Sequence, residues 1–221
     1  MTQQLPPLPP RVARLPRDYR GFPVPWFVQW FVDDKPATPG DGAPDFRVAD
    51  SRKLKRAIGE ARCWVCGDIL GKHKAFTIGP MCAVNRVSSE PPAHRDCAIF
   101  SAVACPFLTK PRMRRNEKDL PEARVDPAGI PLRRNPGVAC IWLTGEFALF
   151  VPPSGGVLFS LGEPNEVLWF AEGRTATRAE VIASIESGYP ALLDMAKAEG
   201  AVAVHELERQ RERAMPFVPA A

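Results

Sequence analysis

The chain reads as an α+β protein, with strands and helices mixed in its first half and a small β-sheet followed by helices in its second. Three observations predict this. Short aromatic and β-branched runs, each closed by Gly, Pro, Asp or Asn, recur at 26–32, 75–78, 138–143, 147–151 and 157–161, the pattern of strands. Helix-opening residues stand at Asp50 and in the capping box Thr177-Arg178-Ala179-Glu180. A Cys-x-x-Cys at 63–66 and a His-x-x-Cys at 94–97 put a tight turn and a helix N-terminus about 30 residues apart.

Residues 1–25 form a Pro-rich extended arm, in which the prolines rule out a regular helix. Two uses of the arm remain open, a polyproline ligand for a partner or a strap on its own domain. Trp26–Val32 is a strand, buried on both faces or nearly so, Asp34–Asp45 a Gly/Pro/Asp loop, and Phe46–Val48 the returning strand. Asp50 caps a helix over about 52–61, with Leu54, Ala57 and Ile58 on its apolar face and Arg52, Lys53, Lys55 and Arg56 on its basic one. Cys63–Gly67 is a turn between short strands, Ala75–Ile78 a strand ended by Gly79-Pro80, and His94–Ala104 a helix stopped by Pro106.

Within Lys110–Pro136, eight basic residues stand against four acidic ones with five prolines, the composition of a linker or long loop. It divides a module over 26–109 from a β-then-α region over 137–221, which can also pack with 26–109 as one domain. After the strands at 138–143, 147–151 and 157–161, a short helix is expected over 164–171 and a second over about 178–187. Gly188 is expected to close that helix, Pro190 to start a third, and 201–213 to form a charged fourth.

Composition narrows the setting. Of 221 residues, 45% are hydrophobic and 24% charged, which suits a globular chain, and the net charge of +4 permits nucleic-acid contact without arguing for it. The first 20 residues lack the apolar stretch of a signal peptide, and no apolar run reaches the 18 or so residues of a membrane span. A cytoplasmic protein is expected. There, six cysteines read as metal ligands, catalytic groups or buried thiols before disulfides.

Structural zinc takes four Cys or His ligands in a tetrahedron. Cys63 and Cys66 supply half from a turn followed by Gly67; His94 and Cys97, one helical turn apart, supply the other half. Such a closed set leaves no position for water or substrate, so the ion serves folding. Cys82 is a rival for one place if its loop folds inward. Cys105 lies eight residues past Cys97, about 12 Å along a continuous helix, too far for the same ion. Cys105 and Cys140 read as buried thiols, and His73 and His205 as surface residues. A redox reading of Cys63–Cys66 meets the difficulty that Gly67–Gly71 is a poor helix start, so the thiol lacks the usual means of lowering its pKa.

A knuckle turn and a helix N-terminus separated by a hairpin-sized insert of 27 residues resemble the treble-clef zinc fold group over about 40 residues. That group includes HNH-type nucleases, and the resemblance implies a zinc-dependent nuclease as one alternative. Such enzymes resemble one another in a catalytic His near the hairpin and a further metal-binding His or Asn on the helix. This chain has no His-His or Asp-His pair there, His94 is already committed, and no Walker loop, G-x-S-x-G, H-E-x-x-H or dinucleotide fingerprint is present. A binding or scaffolding role is preferred. Arg52, Lys53, Lys55 and Arg56, with Lys110, Arg112, Arg114 and Arg115, offer phosphate contacts if the fold brings them together, and Trp64 either stacks on a base or covers the metal site. Trp142 and Trp169-Phe170 are core candidates.

The runs CWVCG, FTIGPMCAVNR, SSEPPAHRDCA, ACPFLTKPRMRR and WFAEGRTATRAEV resemble a family of uncharacterised proteins met in bacteria and their phages, over most of residues 17–215. The resemblance implies a phage or mobile-element setting and no particular activity. It also marks the Asp34–Asp45 loop as a tolerated insertion.

Overall fold

The computed structural model describes residues 5–122, 124, 128–129, 133–153 and 155–220. Parts of the arm and of the 110–136 segment thus lie outside the described residues. The architecture is a mixed α+β arrangement of small antiparallel sheets with helices at its C-terminal end.

The arm is not wholly extended. α1 (Pro10–Ala13) is a single helical turn opened by Pro10, whose missing N–H is one the first turn leaves unbonded anyway. Val12 on this turn is fully buried, so among the described residues the arm is a strap on its own chain. After it, β1 (Val28–Val32), β2 (Lys35–Ala37) and β3 (Ala43–Ala49) form a sheet in the order β2-β1-β3. β2 lies where a loop was expected. Asp33 and Asp34 both take positive φ (46° and 59°), a two-residue turn that folds Lys35–Ala37 straight back on β1. α2 (Ser51–Gly59) follows, with Asp50 Oδ1 accepting from Arg52 N at 2.9 Å.

β4 (Lys74–Ile78), α3 (Pro80–Asn85), β5 (Val87–Ser88), α4 (Arg95–Ala104) and α5 (Pro106–Thr109) complete the first half. The sequence reading missed α3 and α5, two short turns each opened by a proline. β6 (Ala139–Thr144), β7 (Phe147–Phe150) and β8 (Leu158–Leu161) match the expected strands within a residue. β9 (Pro164–Ala171), expected as a helix, is a strand closed by β10 (Arg174–Thr175). The reason is burial on both faces. Val167, Trp169 and Ala171 pack into one core, and Leu168 and Phe170 into another, so the run is continuously apolar and shows no period of two.

That arrangement organises the molecule. The four-stranded sheet β10-β9-β6-β4 carries a core on each side. Phe76, Cys140 and Trp142 face the larger core, shared with α3 and the C-terminal helices α6 (Arg178–Glu199) and α7 (Ala201–Ala214). Ala75, Ile141 and Leu143 face the other, shared with α4, the knuckle cysteines and the arm. A third sheet, β5-β8-β7, packs Phe159 and Phe147 against Phe76.

The two helices expected over 178–199 are one. Gly188 does not end α6; a Cβ there would lie 2.9 Å from the Met81 sulfur, so glycine lets α3 and α6 approach. Pro190 sits inside the helix. A 3-10 turn, Met215–Phe217, ends the fold, its Phe217 carbonyl accepting from Trp169 Nε1 at 2.8 Å. No helix among the described residues is long and apolar enough to cross a membrane.

Candidate metal centre

The knuckle is built by its backbone. Cys63 N–H donates to Asp68 O (2.8 Å), Gly67 N–H to Cys63 O (2.9 Å), and Arg62 and Ile69 bridge across the base. Gly67 takes φ +79°, and a Cβ there would stand 2.7 Å from the Trp26 ring, so glycine is needed for both the turn and the packing. Ala75 and Ala93 exchange backbone hydrogen bonds (3.0 and 2.8 Å), and Trp64 N–H donates to Pro92 O (3.0 Å). These bonds tie the knuckle, β4 and the approach to α4 together. His94 occupies the N-cap position of α4 and Cys97 its first turn.

Four ligand atoms converge as a result. One from each of Cys63, Cys66, His94 and Cys97 lies within 4.8 Å of all the others, close enough to bind a metal ion. Cys66 Sγ is 3.4 Å from His94 Nδ1. The other ring nitrogen, Nε2, is 3.1 Å from Ile69 O. When Nε2–H donates there, Nδ1 keeps its lone pair for the cluster, the arrangement that orients a ligating histidine. Cys63 Sγ accepts the backbone N–H groups of Cys66 and His94, each at 3.4 Å.

The sulfurs are electrically unequal. Hydrogen bonds from the Cys66 and Cys97 side chains, aided by the backbone donors, overcome burial and pull the Cys63 thiol down to about 2. The same bond to Cys63 pushes Cys66 up to about 11, and bonds to Cys63 and Cys66 push Cys97 well above the ordinary thiol range. Thiol ligands give up their protons to bind a cation, so metal uptake at such a cluster would release protons.

Outside the cluster stand two carboxylates that sequence reasoning missed. Asp68 of the knuckle pairs with Arg14 at 2.6 Å, and Asp96 of α4 with Arg11 at 3.4 Å. Both arginines belong to the arm. Their spacing of three residues, one face of a helical turn, is the only signal the sequence held, and α1 is too short to be found by periodicity.

The other candidates are dispersed. Cys82 lies on α3 and packs with the larger core, on the side of the central sheet away from the cluster; it is not a rival ligand in this structure. Cys140 is fully buried on the same side, and burial raises both thiols. Cys105 is half-buried between α4 and α5. His73 and His205 are exposed. Trp64 is corrected as a base-stacking residue. It is 6% exposed and lies flat against Phe27, ring centroids 4.8 Å apart. Lys53 is largely buried and donates to Val28 O at 3.2 Å. Arg52 and Arg56 are exposed but paired with Asp50 and Glu60. Lys55, Lys110, Arg112 and Arg114 are exposed, and Arg115 donates to Arg47 O at 3.0 Å.

No family model, curated protein or solved structure matches the chain.

Proposed function

We propose that Cys63, Cys66, His94 and Cys97 hold one structural zinc ion in a treble-clef-like module, and that the chain is a zinc-stabilised binding protein for nucleic acid or a protein partner. The observation that carries the metal reading is the convergence of four Cys/His atoms from two separately held elements. Tetrahedral zinc at bond lengths of about 2.0–2.3 Å separates its ligands by roughly 3.3–3.8 Å, and the 3.4 Å between Cys66 Sγ and His94 Nδ1 falls in that range. The knuckle-then-helix order supports the treble-clef likeness; the insertion of α3 between β4 and the helix is a departure from a plain hairpin. The phage or mobile-element setting rests on the resemblance of sequence runs alone.

A zinc-dependent nuclease needs carboxylate or imidazole groups free to face substrate. Here the two carboxylates nearest the cluster in sequence, Asp68 and Asp96, are engaged by Arg14 and Arg11. A Cys63–Cys66 redox couple needs an accessible attacking thiolate, and Cys63 is fully buried.

Elemental analysis of the purified protein tests the metal reading. About one zinc per chain is expected, lost in Cys63→Ser and kept in Cys105→Ser and Cys82→Ser. Stoichiometric zinc that survives Cys63→Ser, or a zinc-free folded wild type, sinks it. Since structural zinc supplies about 10–16 kcal/mol in finger peptides, chelation should unfold the knuckle and lower the melting temperature sharply.

A further inference from the structure

We infer that the surface formed by the Asp18–Phe22 turn and β3 is a binding site for single-stranded nucleic acid, with Tyr19 and Phe46 as its stacking residues. The inference rests on the binding-protein reading and names its partner.

The turn is unusually well built for a loop in a Pro-rich arm. The Asp18 carboxylate, with 1% of its side chain exposed, accepts from the backbone N–H of Arg20 and of Phe22 and from the Arg20 Nε, each at 2.9 Å. Arg17 and Pro23 bridge at its base, and Arg17 donates to Gly21 O at 2.9 Å. At the tip of this fixed loop Tyr19 is 91% exposed. The Tyr19 ring thus stands in water and gains no stability from burial.

Its surroundings suit bases and phosphates. The Arg20 guanidinium lies 5.4 Å from the Tyr19 ring, 5.3 Å from Phe22 and 5.9 Å from Phe46, itself 41% exposed on β3. Rings with an arginine between them form a platform on which unpaired bases stack without regard to sequence. The basic segment after α5 touches β3 through Arg47. Arg47, next to Phe46, donates to Lys118 O at 2.7 Å and Asn116 O at 3.3 Å. Arg17, Lys110, Arg112, Arg114 and Lys118 have no carboxylate partner among the described residues. Arg20 and Arg47 are themselves held by carboxylates, Asp18 at 2.8 Å and Asp45 at 2.6 Å, as are the arginines at α1, α2, α4 and β10 by theirs. The exposed rings about Arg20, with Arg17 of the turn and Lys118 next to β3 as the cations free of a carboxylate among the described residues, complement a single-stranded polyphosphate, whose bases are free to leave one another and stack.

The test is fluorescence anisotropy of the full-length, zinc-loaded protein with labelled 20-nucleotide oligo(dT), oligo(U) and a duplex of equal length. The single strands should bind more tightly than the duplex, and the ratio of dT to U identifies DNA or RNA as the preferred source. Tyr19→Ala should weaken single-strand binding about ten-fold while leaving the salt slope unchanged, because a stacking contact is lost and no phosphate contact is. Tyr19→Phe should keep most of the affinity. Equal binding by wild type and Tyr19→Ala overturns the inference, as does a preference for duplex. Zinc is measured on the same samples. A zinc-replete protein that binds no oligonucleotide overturns this inference and leaves the metal reading standing, whereas zinc-free protein is the failure of the metal reading.

Discussion

Single residues decide the geometry at the Cys/His cluster and at the Asp18 turn. Gly67→Ala would set a Cβ against Trp26 in a left-handed conformation, so a loss of at least about 2 kcal/mol is expected from chemical denaturation, with faster loss of any metal bound at the cluster to a chelator. Asp18 makes a pH prediction. Burial raises its pKa, but the Phe22 N–H and the Arg20 side chain and N–H outweigh it and hold the carboxyl below the usual range. A carboxyl with a depressed folded-state pKa stabilises fully above its unfolded value, near 3.9, and loses that contribution as pH falls through the folded one. Asp18→Asn should therefore cost about 1–3 kcal/mol at pH 6, and the gap to wild type should close below about pH 4; a gap constant with pH would show that the charge is not what holds the turn. The four cluster residues were legible because each pair is local, two residues joined by a turn and two by a helical step. The exclusion of Cys82 was not, because it depends on which side of the central sheet α3 lies.

Elements were readable where one face meets water and obscure where none does. α2 carries its cap at Asp50, and α6 its reciprocal box between Thr177 and Glu180. β9 has cores on both sides, which erased the alternation that identifies a strand. The break assigned at Gly188–Pro190 followed local rules that tertiary packing overrode: α6 runs through because Gly188 admits Met81, and because α3 and α7 pack along it. An interior proline costs about 3 kcal/mol, so Pro190→Ala should raise the melting temperature by several degrees, given roughly 2–4 °C per kcal/mol at this chain length. A lower melting temperature would mean that Pro190 helps to seat α6 against α7. Gly188→Ala should act in the opposite sense, by forcing Met81 out of its place.

At the scale of the whole molecule, the sheet β5-β8-β7 ends on β7, which has β8 on one side and no strand partner on the other among the described residues. Leu149, Phe150 and Val151 are 46%, 38% and 69% exposed there with no charged neighbour in the strand, the condition under which edges associate. Leu149→Lys should lower light scattering of concentrated protein and move thermal stability by no more than about 0.5 kcal/mol. The arm acts across the molecule too, since Val12 is buried in the core of the cysteine cluster while Arg11 and Arg14 reach its two carboxylates.

The pairing of β4 with β6 sets an order of events during synthesis. All four cluster residues have been made by Cys97, but β4 must wait for β6, roughly sixty residues downstream of it, which at about 5–20 residues per second is several seconds of translation. In that interval the edge that β6 will occupy is bare. The knuckle, the Ala75–Ala93 bonds and an ion captured early would hold β4 in place against α4 until its partner strand emerges. A cell short of the metal would then meet the defect in the nascent chain, as an unguarded strand, before it met it in the finished protein.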